Sequence, residues 1–265
     1  MVKEEVLSEL PMLDLQAILF LTIVAFLVEL VGVSLGMGYG TLLAPLLIIF
    51  GYPVHYIVPS ILFSQLAGNL LASGAHHKLG NVNFSRNSDD LKIVAMLAPL
   101  GVLGSIVSVF TAVNLPPILV KTYISLLVIC MGVLVLATFK RRLKFSPFRL
   151  VMFGFIAAFN KGLTGGGYGP LLITGQVISG VNVKNAVGIT LLTEAFICIT
   201  SIITYMVLLK ALDFNLLVGL TLGALLAAVP AAFFVRRVRE EKLKMLVGMT
   251  LIILGAFTIT KILLF

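Results

Sequence analysis

The sequence predicts an all-α polytopic membrane protein of two inverted-topology repeats, each a glycine-broken helical hairpin plus three transmembrane helices. Three observations carry that prediction. Hydrophobic residues make up 60% of the 265, charged residues 11%, and the mean hydropathy is +1.14; a soluble domain carries about 25% charged residues. The run Gly36-Met37-Gly38-Tyr39-Gly40 returns 129 residues later as Gly165-Gly166-Gly167-Tyr168-Gly169, inside apolar sequence both times. Ten of the 19 basic residues fall in two short hydrophilic segments, so the net charge of +8 marks membrane topology and not a nucleic-acid surface.

The duplication extends without a gap: Leu42-Leu43 matches Leu171-Leu172, Gly51 matches Gly180, Val54 matches Val183 and Val58 matches Val187. A glycine break at corresponding positions of two apolar halves points to the binding site of a secondary transporter. The expectation is a transporter whose site lies where the repeats meet.

Each element follows from an apolar run. In the first half, Leu15–Leu35 leads into the glycine break, the short arm Thr41–Phe50 follows it, and Val54–Ala75, Leu91–Val113 and Pro117–Phe139 are long enough to span. The second half repeats the series as Phe148–Leu163, the break, Pro170–Ser179, then Val183–Leu209, Phe214–Val235 and Leu243–Leu264. About 20 apolar residues of helix cross a bilayer, whereas ten rise about 15 Å, half of its hydrocarbon core. The short arms therefore read as the returning halves of re-entrant hairpins, buried in protein or lining a wet cavity. Two full crossings with irregular ends are the alternative. The expected organisation is an N-terminal segment (1–14), repeat 1 (15–139), a basic linker (140–148) and repeat 2 (149–265). The acidic N-terminal segment has neither the basic region nor the cleavage site of a signal peptide and is expected to be retained.

Charge sets the orientation. Lys140, Arg141, Arg142, Lys144 and Arg149 place the linker in the cytoplasm, and Arg236, Arg237, Arg239, Lys242 and Lys244 do the same for the loop before the last helix. The counterpart of that loop in the first half, Ala112 to Pro117, is uncharged and lies one helix from the linker, hence outside. Equivalent loops fall on opposite sides. Three net crossings per half give the same result, and put the N- and C-termini outside the cytoplasm of a multi-pass cell-membrane protein.

The candidate site is built from the glycine turns. Glycine permits positive φ and close backbone approach, and a turn that opens a helix presents amide N–H groups and the positive end of a dipole to an anion. Substrate-binding candidates are Gly36, Gly38, Tyr39, Gly40, Gly165, Gly166, Gly167, Tyr168 and Gly169, with Gln65, Asn160 and Lys161 beside them. Tight helix packing through small residues is the alternative for the glycines, and packing or gating for the two tyrosines. Glu29 and Glu194 are the acids inside apolar segments and are candidates for coupling or gating, because burying them is costly. Glu194 corresponds to Gln65 in the other repeat. Glu29, shortly before the first break, is placed to pair with Lys161, or either acid serves a structural bond. Ser64, Asn69 and Thr193 share faces with Gln65 and Glu194. His55, Lys184, His76 and His77 read as solvated interface residues, and Cys130 and Cys198 as buried small hydrophobes.

No phosphate-binding loop with a G-x-x-x-x-G-K-[ST] pattern, catalytic triad, HExxH or CxxC pattern occurs, which leaves no ATP-driven pump, no cofactor and no metal site in this chain. The chain resembles the TauE/SafE family of sulfite and organosulfonate exporters over nearly its whole length. The likeness rests on the repeated G-x-G-Y-G followed by Thr41-Leu42-Leu43 or Pro170-Leu171-Leu172, the G-x-x-V continuation at Gly51 and Gly180, and the basic middle loop. Met37 stands where a run of glycines is more typical, which implies unequal contributions from the two turns. The resemblance implies an inner-membrane permease for small sulfur-containing anions: sulfite, sulfonates or related organosulfur anions, moved by alternating access in the direction of export and with proton coupling. The expected partners are a small anionic substrate and the lipid bilayer, with no nucleic acid; the sequence fixes no oligomeric state. The rival readings are a passive anion channel, a cation- or proton-coupled carrier using Glu29 and Glu194, and a membrane enzyme, which would need a polar cluster open to the interface.

Overall fold

Backbone in lipid must satisfy its hydrogen bonds internally, and this chain does so with helices. The computed structural model describes residues 14–35, 38–137, 146–209, 212–237 and 240–264. Among the described residues there are ten helices and no strand: α1 (Leu15–Leu35), α2 (Tyr39–Ile49), α3 (Val54–Lys78), α4 (Asp89–Asn114), α5 (Pro117–Ala137), α6 (Pro147–Thr164), α7 (Tyr168–Ile178), α8 (Val183–Leu209), α9 (Phe214–Arg237) and α10 (Glu240–Leu264). Six of them, α1, α3, α4, α5, α8 and α9, are long and apolar enough to cross a membrane. The all-helical polytopic fold expected from the sequence is borne out. Residues 1–13 of the N-terminal segment and 140–145 of the basic linker lie outside the described residues.

The molecule is apolar outside and largely apolar inside, with a set of buried polar and ionisable side chains within the core. Leu15, Leu19, Phe20, Ile23 and Leu27 face outward along α1, while Glu29, Gln65, Asn69, Lys161 and Glu194 are buried. Outward hydrophobes need a lipid solvent, and buried ionisable groups in such a shell sit where a polar pathway is built. Of the two free cysteines, Cys198 is buried as expected; Cys130 is exposed, because it lies on the outward face of α5.

Both short arms fold back. The ring of Phe50, just past α2, packs at a tilt against that of Phe20 in the first half of α1, with centroids 5.5 Å apart. Gly175 near the end of α7 abuts Phe153 near the start of α6. Helix ends then gather in two groups. In one, the Asp14 amide donates to Asn215 Oδ1 (3.0 Å), Lys261 Nζ donates to Ile49 O (2.5 Å), and a hollow of about 150 Å³ is lined by Val54, Leu115 and Leu209. In the other, Asn185 Nδ2 donates to Asp90 Oδ2 (2.8 Å) and Asn81 Nδ2 to Ala232 O (3.3 Å). Packing survives exchange of the halves: α1 rests on α9 as α6 rests on α4, α3 on α9 as α8 on α4, and α2 on α10 as α7 on α5, with α3–α8 and α5–α10 joining counterparts.

His76 departs from the sequence reading. It is buried, with Asn81 Nδ2 3.4 Å from its Nδ1, because the chain after α3 doubles back over it. His55, His77 and Lys184 are exposed, as expected.

Candidate functional site

Two glycine turns interlock at the centre. Gly38 (φ +76°) and Gly167 (φ +78°) cap the N-termini of α2 and α7 in backbone conformations that a side chain rarely tolerates. Helix therefore starts at Tyr39 and Tyr168, two residues before the arms read from sequence. A Cβ on Gly40 would stand 1.7 Å from the Gly165 carbonyl oxygen, and one on Gly166 2.7 Å from the Thr41 amide nitrogen. The turns meet backbone to backbone, and the Gly167 amide donates to Thr41 Oγ1 across the junction (2.9 Å). Gly165 and Gly166 also spend their amides inside the protein, on Lys161 O (2.8 Å) and Thr164 Oγ1 (3.0 Å).

Lys161, one turn before the second break, is completely buried. Its ammonium donates to Glu194 Oε1 (2.7 Å), to Gly165 O (2.9 Å) and to Gln65 Oε1. Asn69 Nδ2 in turn donates to Glu194 Oε2 (3.1 Å). Burying a lone ammonium is prohibitive, and a buried pair persists only when further hydrogen bonds complete it, as here. Three helices and one turn supply this cluster: α3 (Gln65, Asn69), α6 (Lys161), α8 (Glu194) and the turn before α7 (Gly165). Gln65 and Glu194, repeat counterparts in the sequence, meet on the same ammonium.

The pair expected between Glu29 and Lys161 is not formed. Lys161 is taken by Glu194, and both Glu29 carboxyl oxygens are buried without a hydrogen-bond partner, with Oε1 beside Gly68 of α3. The two tyrosines are buried in different surroundings. Tyr39 Oη donates to Leu220 O (3.4 Å) and accepts from Ser64 Oγ (3.3 Å), while the Tyr168 hydroxyl faces Thr193. Asn160 Oδ1 accepts from Tyr123 Oη (2.5 Å), so Asn160 secures α5 to α6 beside the second turn.

A small cavity of about 10 Å³ lies at this junction, lined by Gly38, Tyr39, Gln65, Asn69, Gly169 and Glu194 among others. That is room for about one water, so the site is closed around its own groups. Of the sequence candidates, Gly38, Tyr39, Gly40, Gln65, Lys161, Gly165 to Gly169 and Glu194 come together. Glu29 stands to one side, and Gly36 lies outside the described residues. Thr41 and Thr164 were not among the candidates, yet their hydroxyls cap the glycine amides. A hydroxyl bordering each glycine run is the signal that would have found them.

A polar, lysine-centred junction of two broken hairpins inside an apolar shell defines a multi-pass membrane transporter. The family described as Sulfite exporter TauE/SafE matches residues 21–258, and the chain belongs to that family. A protein of Bacillus subtilis (strain 168) named "Probable membrane transporter protein YtnM" is 27% identical over 250 residues, covering 89% of this chain and 80% of that protein. No solved structure matches the chain.

Proposed function

We propose that this transporter moves small sulfur-containing anions, sulfite, sulfonates or related organosulfur anions, out across the cytoplasmic membrane by alternating access and with proton coupling. The observation that carries this reading is the buried Lys161 ammonium at the junction of two glycine turns. A small anion is attracted there by one full charge and by the dipole ends of α2 and α7, and the family description names sulfite.

The halves act as inverted-topology repeats. Support comes from the folded-back arms, from the two groups of helix ends, and from packing that repeats when the halves are exchanged. Each half then makes three net crossings. The ends carrying Asp14, Asn215 and Lys261 face outward, and the basic segments face the cytoplasm. Alternating access follows as the repeats exchange conformations around the central turns.

The test is uptake of radiolabelled sulfite into proteoliposomes, with Gly167→Val as control. A Cβ at Gly167 would meet Leu127 Cδ2 at 2.8 Å and strain a positive φ. Saturable uptake that is accelerated by sulfite on the far side and lost in the control is the expected result. Uptake that never saturates and shows no exchange marks a channel. No uptake by folded protein removes sulfite and leaves sulfonates to be assayed. A cation carrier is the second reading, favoured by the unpartnered Glu29 oxygens. It predicts sodium- or proton-dependent flux that Glu29→Gln abolishes, with no anion bound.

A further inference from the structure

Lys161 has three N–H donors, and Glu194, Gly165 and Gln65 occupy all three. An ammonium has no fourth, so an anion reaches Lys161 only by replacing one of these partners. Gln65 and the Gly165 carbonyl are neutral; Glu194 alone holds the place through charge, and it alone is what an incoming anion resembles. Its displacement leaves a carboxylate buried among α1, α3 and α8 with no cation against it. Such a group does not stay ionised; it takes a proton.

Asn69 carries an independent sign of that second state. Its Nδ2 donates to Glu194 Oε2, but its Oδ1 is buried with no hydrogen-bond partner. An ionised carboxylate is acceptor-only and can never satisfy that oxygen, whereas a protonated one brings the missing O–H. The site is completed by a proton on Glu194.

We propose that Glu194 is the internal counter-ion of Lys161, that a singly charged substrate anion displaces it, and that each displacement draws one proton from solution onto Glu194. Asn69 is the positioning residue for the protonated carboxyl. The charge balances: Lys161 ammonium with Glu194 carboxylate sums to zero, and so does the ammonium with a bound monoanion and neutral Glu194. One proton travels with each anion and leaves when Glu194 returns to Lys161. This deepens the anion-transport reading and rests on it. Other titratable groups facing Glu194 are Glu29 from α1, Tyr39 from α2, Tyr168 from α7 and Cys198 one turn along α8. Helix α3 offers the neutral Gln65 and Asn69, and α4 carries its titratable groups, Asp89, Asp90 and Lys92, in its first turn, remote from the cluster.

The experiment is calorimetric titration of the purified full chain with sulfite in two buffers of different ionisation enthalpy, which counts protons taken up on binding. Sulfite's own titration is common to wild type and Glu194→Gln and cancels between them. The wild type is expected to take up about one proton more per sulfite than Glu194→Gln, and to lose about tenfold more affinity per unit rise in pH. Glu194→Gln binds more tightly, its competitor being gone. Asn69→Leu reduces the extra proton uptake. The double variant Lys161→Met/Glu194→Gln, which buries no charge at the pair, is expected to melt like the wild type and bind no sulfite. Binding by Glu194→Gln alone supports displacement, the native counter-ion being too strong a competitor for the probe. Equal proton uptake by wild type and Glu194→Gln overturns the inference and leaves sulfur-anion transport standing. Binding by the double variant as strong as by Glu194→Gln also overturns it. Failure of both wild type and Glu194→Gln to bind sulfite removes sulfite as substrate, and this inference with it.

Discussion

A methyl group on Gly40 would lie 1.7 Å from the Gly165 carbonyl oxygen, an overlap that only backbone movement relieves. Because that carbonyl also accepts from Lys161, moving it loosens the ion pair as well. Gly40→Ala is therefore expected to abolish sulfite transport and lower the melting temperature in detergent, at a cost of about 1–3 kcal/mol or more. Gly74→Ala is the matched control: it lies within α3 with nothing within 4 Å of a new Cβ, and alanine favours a helix interior over glycine by about 0.5–1 kcal/mol. Melting curves of the two variants, read beside transport, check the contrast; a Gly40→Ala protein that melts and transports normally would contradict the interlocked turns. At this scale the sequence disclosed the glycines and tyrosines, because they occur twice at one spacing. It did not disclose that Lys161 chooses Glu194 over Glu29. That choice depends on how each helix is rotated, and a helix apolar on nearly every face lacks the stripe from which rotation is read.

The short arms α2 and α7 carry the strongest prediction at the level of elements. From Phe20 to Leu35 a helix rises about 22 Å, and the 11 residues of α2 add about 16 Å. Had α2 continued in the same direction, Phe50 would end about 40 Å from Phe20; the two ring centroids in fact lie 5.5 Å apart. A Phe20→Cys/Phe50→Cys pair, with Cys130 and Cys198 replaced by Ser, is expected to cross-link efficiently under mild oxidation or with a short bifunctional maleimide. Absence of any cross-link in folded protein would mean that α2 does not return beside α1. The arms were legible in the sequence from length alone, since ten residues are too few to cross. Their starts were not: Tyr39 and Tyr168 are helical, and aromatic residues beside glycine carry no local cue to that boundary. The burial of His76 was hidden for a similar reason, as the segment that covers it, Leu79 to Asn81, follows it in sequence and reads as an ordinary loop.

For the whole molecule, hydropathy and the duplication made the helical membrane fold legible, and the positive charges predict a sidedness that awaits its own test. The two groups of helix ends turn it into an accessibility test. Asn215 shares one group with Asp14, while Asn83, which neighbours Asn81 and whose amide donates to Asp90 Oδ2 (2.8 Å), belongs to the other. In a background without Cys130 and Cys198, a membrane-impermeant maleimide is expected to label Asn215→Cys from outside intact cells, and Asn83→Cys only after the membrane is opened. Equal labelling of both from outside would put the loops before α4 and α9 on one side, and the halves would then be parallel repeats. This placement also constrains mechanism. On the proposed inverted topology, the hollow at Val54, Leu115 and Leu209 would open outward, and repeat equivalence would put the opposite route among α8, α9, α10 and α3. Under alternating access, opening either route would require separating Gly40 from Gly165, which the interlocked turns hold backbone to backbone. A cross-link that locks the start of α2 to the turn before α7 is expected to stop flux in both directions, whereas a locked channel-like pore would continue to pass anions from either side.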